Sequence, residues 1–269
     1  MNELQQKVDN LFMILRSLDS VAIGFSGGVD STFLAAAAYR ALGAKAIAVT
    51  ACSETLPRSE AHEAAAVAKL IGIEHKLIDS NEMENPEFIA NDRLRCYYCK
   101  KVRFAALADW AAAAGYLWVL EGSNADDLTD YRPGMKAVDE LDKVRSPLLE
   151  AGLTKQDIRE LSRQWGLPTH NKLSSACLAT RLAYDLPITA ARLAQVEAAE
   201  ELLSKLFTGQ VRVRHHGDLA RIEIQPEQMA VMTNPVTAAM VAAELKKLGF
   251  TFVTLDLSGY QMGSMNQLL

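Results

Sequence analysis

Short apolar runs alternate with amphipathic stretches of roughly 10–15 residues along the first half of this chain, and that alternation restricts the fold more than anything else in it. Residues 3–18 read as an amphipathic helix, and Ser20-Val-Ala-Ile-Gly-Phe25 follows as an apolar run. A helix predicted over 31–42 stops at Gly43, Ala46-Ile-Ala-Val-Thr50 forms a second run, and a helix over 58–71 stops at Gly72. His75–Asp79 supplies a third run. A helix from about Lys100 to Ala114 stops at Gly115 and leads into Tyr116–Leu120. Continuous apolar strands separated by helices predict a parallel sheet covered on both faces, so residues 1–165 are expected to form a doubly wound α/β domain.

After Pro168 the pattern changes. A loop over 170–185 precedes a helix over Thr189–Phe207. Strands follow at Val211–Arg214 and Leu219–Ile224, separated by His215-His-Gly-Asp218, then a helix over Met229–Leu248 and a strand over Phe252–Leu257. Residues 166–269 are therefore expected to form a smaller α+β domain for substrate binding and oligomerisation.

The bulk composition weights the function classes without removing any, since a local basic patch is compatible with it. Hydrophobic residues make up 49% of the 269 positions and charged ones 23%, ordinary for a chain with a buried core. The net charge of −5 gives no general attraction to nucleic acid or anionic lipid, so small molecules are favoured as partners. Met1–Ser20 carries Glu3, Lys7, Asp9, Arg16 and Asp19, unlike a signal peptide. No window approaches the ~18 uncharged apolar residues of a membrane span, and the expected location is the cytoplasm.

Between the first strand and its helix stands Ser26-Gly-Gly-Val-Asp-Ser31. Gly27 and Gly28 let backbone N–H groups approach an anion, Ser26 and Ser31 add hydroxyl donors, and the helix N-terminus adds a positive dipole end. Asp30 alone would repel phosphate, so it is expected to ligate Mg²⁺ that also holds the phosphates. The plain alternative is a Gly-Gly turn with an Asp N-cap.

This loop resembles the Ser-Gly-Gly-x-Asp-Ser signature of the N-type ATP pyrophosphatase (PP-loop) superfamily, whose members cleave ATP between the α- and β-phosphates and adenylate an oxygen. The resemblance implies that the loop grips pyrophosphate and that adenine lies near Ala48, Thr50, Ser53 and Gly122.

Glu121-Gly-Ser-Asn-Ala-Asp-Asp127 follows the fourth run on the same predicted sheet edge. Asp126 and Asp127 are candidates to hold a metal or orient ribose and substrate, and Arg132 to meet phosphate or carboxylate; an Asx-rich capping loop is the alternative. Arg212 and Arg214 share one strand face and, with Arg181, are candidates for a phosphate pocket, against a solvated face as the alternative. His215 and His216 read as turn residues.

Four cysteines are present. Cys52 reads as a core residue, whereas the Cys96-Tyr-Tyr-Cys99 pair points to metal, cluster or redox chemistry. Ser174-Ser-Ala-Cys-Leu-Ala-Thr-Arg181, Arg212-Val-Arg-His-His-Gly-Asp218 and Leu255-Asp-Leu-Ser-Gly-Tyr260, taken with the phosphate loop, are similar over essentially the whole chain to the LarE family of ATP-dependent sulfur transferases. Membership implies adenylation of pyridinium-3,5-biscarboxylic acid mononucleotide, then displacement of AMP by sulfur, in nickel-pincer cofactor synthesis. The family's single sacrificial cysteine matches Cys177, which would end as dehydroalanine. By the same matching Asp127, Glu200 (with Glu197 and Glu201 on the same helix), Arg212 and Arg214 would contact substrate or metal.

Cys96 and Cys99 depart from the single-cysteine pattern. With Cys177 they could hold a [4Fe–4S] cluster that leaves one iron open to carry a hydrosulfide. A zinc site with His170, a Cys96–Cys99 redox pair and inert thiols remain as alternatives. Nearby Arg93, Arg95, Lys100 and Lys101 would favour thiolates. The rival functions are a tRNA thiolation enzyme, an ammonia-using synthetase and an ATP-sensing module, and Ala-rich helical surfaces suggest a homo-oligomer.

Overall fold

The computed structural model describes residues 3–129, 133–173, 176–261 and 263–265. Residues 1–85 and 96–175 form one compact unit, and 86–95 and 176–269 form the other. The division therefore falls at 175/176 rather than at the 165/166 expected, and a ten-residue excursion, 86–95, joins the second unit.

The first unit is built on a five-stranded parallel sheet in the order β3-β2-β1-β4-β5. Its strands are β1 (Val21–Gly24), β2 (Ala46–Cys52), β3 (Glu74–Asp79), β4 (Trp118–Leu120) and β5 (Val144–Arg145). The continuous apolar character of β1 and β2 follows from central position, since successive side chains enter opposite covered faces. Val21, Ile23, Ala46 and Ala48 enter a core with the helices Glu3–Ser17, Val29–Leu42, Arg58–Ile71 and Lys155–Gln164. Ala22, Ile47 and Val49 enter another with Leu107 and Ala111 of the helix Arg95–Ala113. Each large aliphatic side chain buried in this way contributes about 1.5–3 kcal/mol. The edge strand β3 exposes Glu74, Lys76 and Leu77.

Two differences from the expected elements matter. β5 was not foreseen, and the helix expected near Lys100 begins at Arg95, which puts Cys96 and Cys99 in its first turns. The Leu94 N–H donates to Asp92 Oδ1 at 2.7 Å just ahead of that start.

The second unit carries the sheet β6 (Arg212–His216), β7 (Leu219–Glu223) and β8 (Phe252–Leu255), with β6–β7 antiparallel and β7–β8 parallel. His215 and His216 lie within β6, not in the turn, which is Gly217-Asp218 with Gly217 at φ 75°. The helix Ala190–Ser204 is capped by Thr189, whose hydroxyl accepts from the Arg192 N–H. The helix expected over 229–248 is broken into Met229–Met232 and Pro235–Lys247. Asn234 caps the second part, and the proline fits its first turn but could not continue a helix from before. Within this unit the Asn91 amide donates to the Ala183 and Leu186 carbonyls at 2.7 and 2.8 Å, fastening the 86–95 excursion. Among the described residues no helix is long and apolar enough to cross a membrane.

Candidate active site

The phosphate loop stands where β1 gives way to the helix Val29–Leu42. The Phe25 N–H donates to the Val49 carbonyl at 2.8 Å, ending the β1–β2 ladder, and Gly27 turns the chain at φ 65°. A Cβ on Gly27 would lie 3.0 Å from Ala64 Cα, so this residue meets both a conformational and a steric demand for glycine. Gly28 is the helix N-cap and no side chain caps that end. The first-turn N–H groups and the dipole are thus available to an anion. Ser26 Oγ and Ser31 Oγ lie 3.1 Å apart beside them.

Asp30 sits in the first turn of that helix. Its Oδ2 accepts from Lys155 Nζ at 2.5 Å, and Asn124 Nδ2 approaches Oδ1 at 3.4 Å. Lys155 opens the helix Lys155–Gln164, held by a capping box between Thr154 and Asp157, and its N–H donates to Asp126 Oδ2 at 2.9 Å. Asp127 Oδ2 accepts from the Asn124 N–H at 3.0 Å, so this carboxylate shapes its own loop. A Cβ on Gly122 would stand 3.4 Å from Ser31 N, which makes Gly122 the point where the β4 loop packs on the phosphate loop. Lys155 was not among the sequence candidates; its partner is 125 positions away, and a capping box gives no hint of it.

On the β2 side, Ala48 is in the core and Thr50 is buried. Thr50 Oγ1 donates to the Phe25 carbonyl at 2.6 Å and meets His75 Nε2 at 2.8 Å. Burial lowers the His75 pKa, and a neutral ring suits that contact. The Thr50 hydroxyl is therefore spent inside the sheet. Ser53 Oγ hydrogen-bonds Glu82 Oε1, and Cys52 is half-buried rather than a core residue, with a thiol pKa that burial raises.

Cys96 is exposed and Cys99 half-buried. Their spacing of three puts both on one face of the helix Arg95–Ala113, in the first unit. A Cβ on Gly134 would come within 2.9 Å of Lys100 Cδ and 3.4 Å of the Cys96 carbonyl, so the chain passes close over this turn. Lys100 Nζ donates to Glu121 Oε1 at 2.7 Å. Burial alone would raise the Glu121 pKa, but the Lys100 charge and the Ser123 hydrogen bonds bring it below the ordinary carboxylate value. Lys101 pairs with Glu140 at 2.9 Å. Arg95 donates to Asn91 Oδ1 at 2.6 Å and stacks over Tyr184. These three cations thus each have a partner of their own beside the cysteine turn. His170 Nδ1 meets the Leu167 carbonyl at 3.0 Å. Among the described residues no group of three His, Cys, Asp or Glu side chains forms a ready metal site.

Cys177 belongs to the second unit, half-buried at the N-cap of the turn Leu178–Arg181. Its carbonyl accepts from Thr180 Oγ1 at 2.7 Å and Arg181 Nη1 at 3.0 Å. Arg181 is buried and reaches both carboxylate oxygens of Glu200, at 3.0 and 3.1 Å, while Glu200 Oε1 also accepts from the Val213 N–H at 3.1 Å. Glu200, expected to meet substrate, has both oxygens engaged with protein. Arg214 Nη2 pairs with the buried Glu223 at 2.7 Å. Arg212, in no ion pair among the described residues, lies over the Tyr260 ring at 5.7 Å. Burial first, then the Arg181 charge, lowers the Arg212 pKa. Arg221 also reaches Glu223, at 3.3 Å, and Asp256, at 2.8 Å. The four guanidiniums of Arg181, Arg212, Arg214 and Arg221 thus face the three carboxylates of Glu200, Glu223 and Asp256, leaving one cation in excess, a composition that suits an anion. Arg132, Ser174 and Ser175 lie outside the described residues.

Comparison with known proteins fits these features. Residues 2–183 match the NAD synthase family model. Over 270 residues, 100% of this chain and 97% of the relative, the chain is 37% identical to pyridinium-3,5-bisthiocarboxylic acid mononucleotide synthase of Lactiplantibacillus plantarum. It is 43% identical to an uncharacterized Synechocystis protein over 99% of each. It is also 30% identical to the NH(3)-dependent NAD(+) synthetase of Hyperthermus butylicus, over 55% of this chain and 54% of that one.

Proposed function

Because this chain belongs to the LarE family, within the PP-loop ATP pyrophosphatases, we propose that it adenylates a carboxylate of pyridinium-3,5-biscarboxylic acid mononucleotide and exchanges the adenylate for sulfur. The observation that carries this reading is the uncapped helix start at Gly28 with Asp30 beside it, in a chain similar along its full length to a thiocarboxylate-forming synthase.

In the proposed reaction a substrate carboxylate oxygen attacks the α-phosphorus of ATP, the bond to the bridging oxygen breaks, and pyrophosphate leaves. Ser26, Ser31 and the N–H groups after Gly28 would hold the departing phosphates, with Asp30 and Lys155 at their flank; Mg²⁺ would be carried by Asp30 together with those phosphates. Thr50, Ser53 and Gly122 mark the nucleotide side. Arg212, Arg214 and Arg181 would receive the phosphate of the mononucleotide, with Glu200 holding Arg181 in place and Asp127 shaping the loop beside the phosphates. A sulfur nucleophile then attacks the acyl carbon and AMP departs.

Two sulfur sources fit the cysteines. In the first, the Cys177 thiolate forms a thioester, loss of its Cα proton breaks the Cβ–Sγ bond, and the sulfur leaves with the product. In the second, Cys96, Cys99 and Cys177 are the ligands of a [4Fe–4S] cluster, which would supply sulfide at an iron without a protein ligand. None of the three cysteines is in a disulfide, and cysteine sulfur is the soft ligand such a cluster takes; on that chemistry we favour this source. The enzyme is further proposed to act on a small nucleotide rather than on nucleic acid, as a cytoplasmic homo-oligomer.

The match to the NAD synthase model favours an ammonia-using synthetase as the second reading. Purification without oxygen, iron and sulfide analysis, and pyrophosphate release on adding ATP and the dicarboxylate distinguish these readings. Sulfur in the product supports sulfur transfer, and nitrogen in its place refutes it. A loss of about 34 Da at Cys177 after turnover identifies the sacrificial route.

A further inference from the structure

Glu82 has no exposed surface, yet it lies in the short turn Glu82–Glu84 after β3, where an apolar side chain would be the cheaper filler. The carboxylate is gripped on every side. Oε1 accepts from Ser53 Oγ and, at 2.9 Å, from Thr55 Oγ1; Oε2 accepts from Ser80 Oγ; Arg103 Nε stands 3.6 Å from Oε1. These donors come from three places: the loop after β2, the end of β3, and the helix Arg95–Ala113. Arg103 also donates from Nη2 to the Ala51 carbonyl at 2.5 Å, tying that helix directly to the end of β2.

Two neighbours matter to this hub. Ser53 belongs to the loop proposed for the nucleotide side, and Arg103 follows Cys99 by four positions, on the same helix face. We infer that Glu82 is a positioning residue: it fixes the β2 loop carrying Ser53 and the helix carrying Cys96 and Cys99 in one geometry, so that nucleotide binding and thiol presentation are set together. The inference rests on the reading of Ser53 and the cysteine pair as parts of the working site. It needs no bound cluster.

The test uses the full chain without turnover. ATP affinity in the presence of Mg²⁺ is measured by calorimetry, and the iodoacetamide alkylation rates of Cys96 and Cys99 by mass spectrometry, for the parent, Glu82→Gln and Arg103→Lys. Glu82→Gln keeps the size of the side chain and removes its charge. It is expected to weaken ATP about tenfold and change the Cys99 rate at least about threefold, the scale of losing one buried charged hydrogen bond. Arg103→Lys keeps the charge but not the forked contact; it is expected to change the Cys99 rate with a smaller effect on ATP. A folded Glu82→Gln protein with both quantities within twofold of the parent overturns the inference. If Glu82→Gln does not fold, a Cys99 rate within twofold of the parent in Arg103→Lys overturns it equally. Pyrophosphate release by the parent tests the reaction itself, so failure of that reading and of this one are distinguishable.

Discussion

Lys155 Nζ stands 2.5 Å from Asp30 Oδ2, and the ammonium occupies a flank of the carboxylate that was expected to face a magnesium ion. The pair joins the phosphate loop to the start of a helix 125 residues later. Binding of a metal and a triphosphate there would exchange one cation for another at Asp30 and leave the lysine to meet phosphate oxygen.

Asp30→Asn and Lys155→Ala are each expected to slow pyrophosphate release by about 10²-fold, the scale of removing one charged group from a phosphate clamp. Residues in contact act non-additively, so the double variant should fall well short of the product of the two single effects. Rates over a Mg²⁺ titration check this. Fully multiplicative losses would show that the two side chains work independently.

Gly27→Ala places a side chain at φ 65° and within 3.0 Å of Ala64 Cα. The backbone conformation alone costs about 1–2 kcal/mol. A lower midpoint in urea unfolding, together with lost ATP binding, is the expected result.

Glu200→Ala strips the buried Arg181 guanidinium of its carboxylate partner. Breaking a buried pair from one side costs about 3–5 kcal/mol, so a large drop in unfolding free energy is expected, beyond any effect on substrate. Denaturant titration without ligand isolates it. An unchanged midpoint would return Glu200 to a pure substrate role.

His215 sets a pH dependence. Its ring is buried, Nε2 meets Gln195 Oε1 at 2.9 Å, and Nδ1 has no partner among the described residues. Burial, then the nearby Arg192, pushes its pKa down from 6.5 to about 4. Below 6.5 the unfolded chain takes up the proton and the folded one does not, so this residue's contribution falls as pH drops from 6.5 toward 4. The melting temperature should decline over that window, and His215→Gln should flatten the decline. A decline of the same slope in the variant assigns the effect elsewhere.

The parallel sheet was legible because β1 and β2 are buried on both faces and read as unbroken apolar runs, and because Gly43, Gly72 and Gly115 end their helices at φ 59°, 83° and 84°. β5 escaped because two residues cannot display a period. The early start of the helix Arg95–Ala113 was hidden by its charged first turn, although Asp92 held a capping signal. The true turn of the β6–β7 hairpin also had a signal, a Gly-Asp pair between runs of alternating residues. In the site, the phosphate loop is local in sequence and could be read directly. The hub at Glu82 and the Lys155–Asp30 pair depend on tertiary neighbours, and local pattern carries no trace of those.

The excursion of 86–95 bears on how the protein can be taken apart. The backbone passes from one unit to the other three times, at 85/86, 95/96 and 175/176, so no single scission frees either unit intact. A fragment beginning at Ala176 would lack Asn91 and its carbonyl tethers, and one ending before it would carry an orphaned ten-residue insert. Recombinant halves split at 175/176 are therefore expected to unfold more easily than the intact chain.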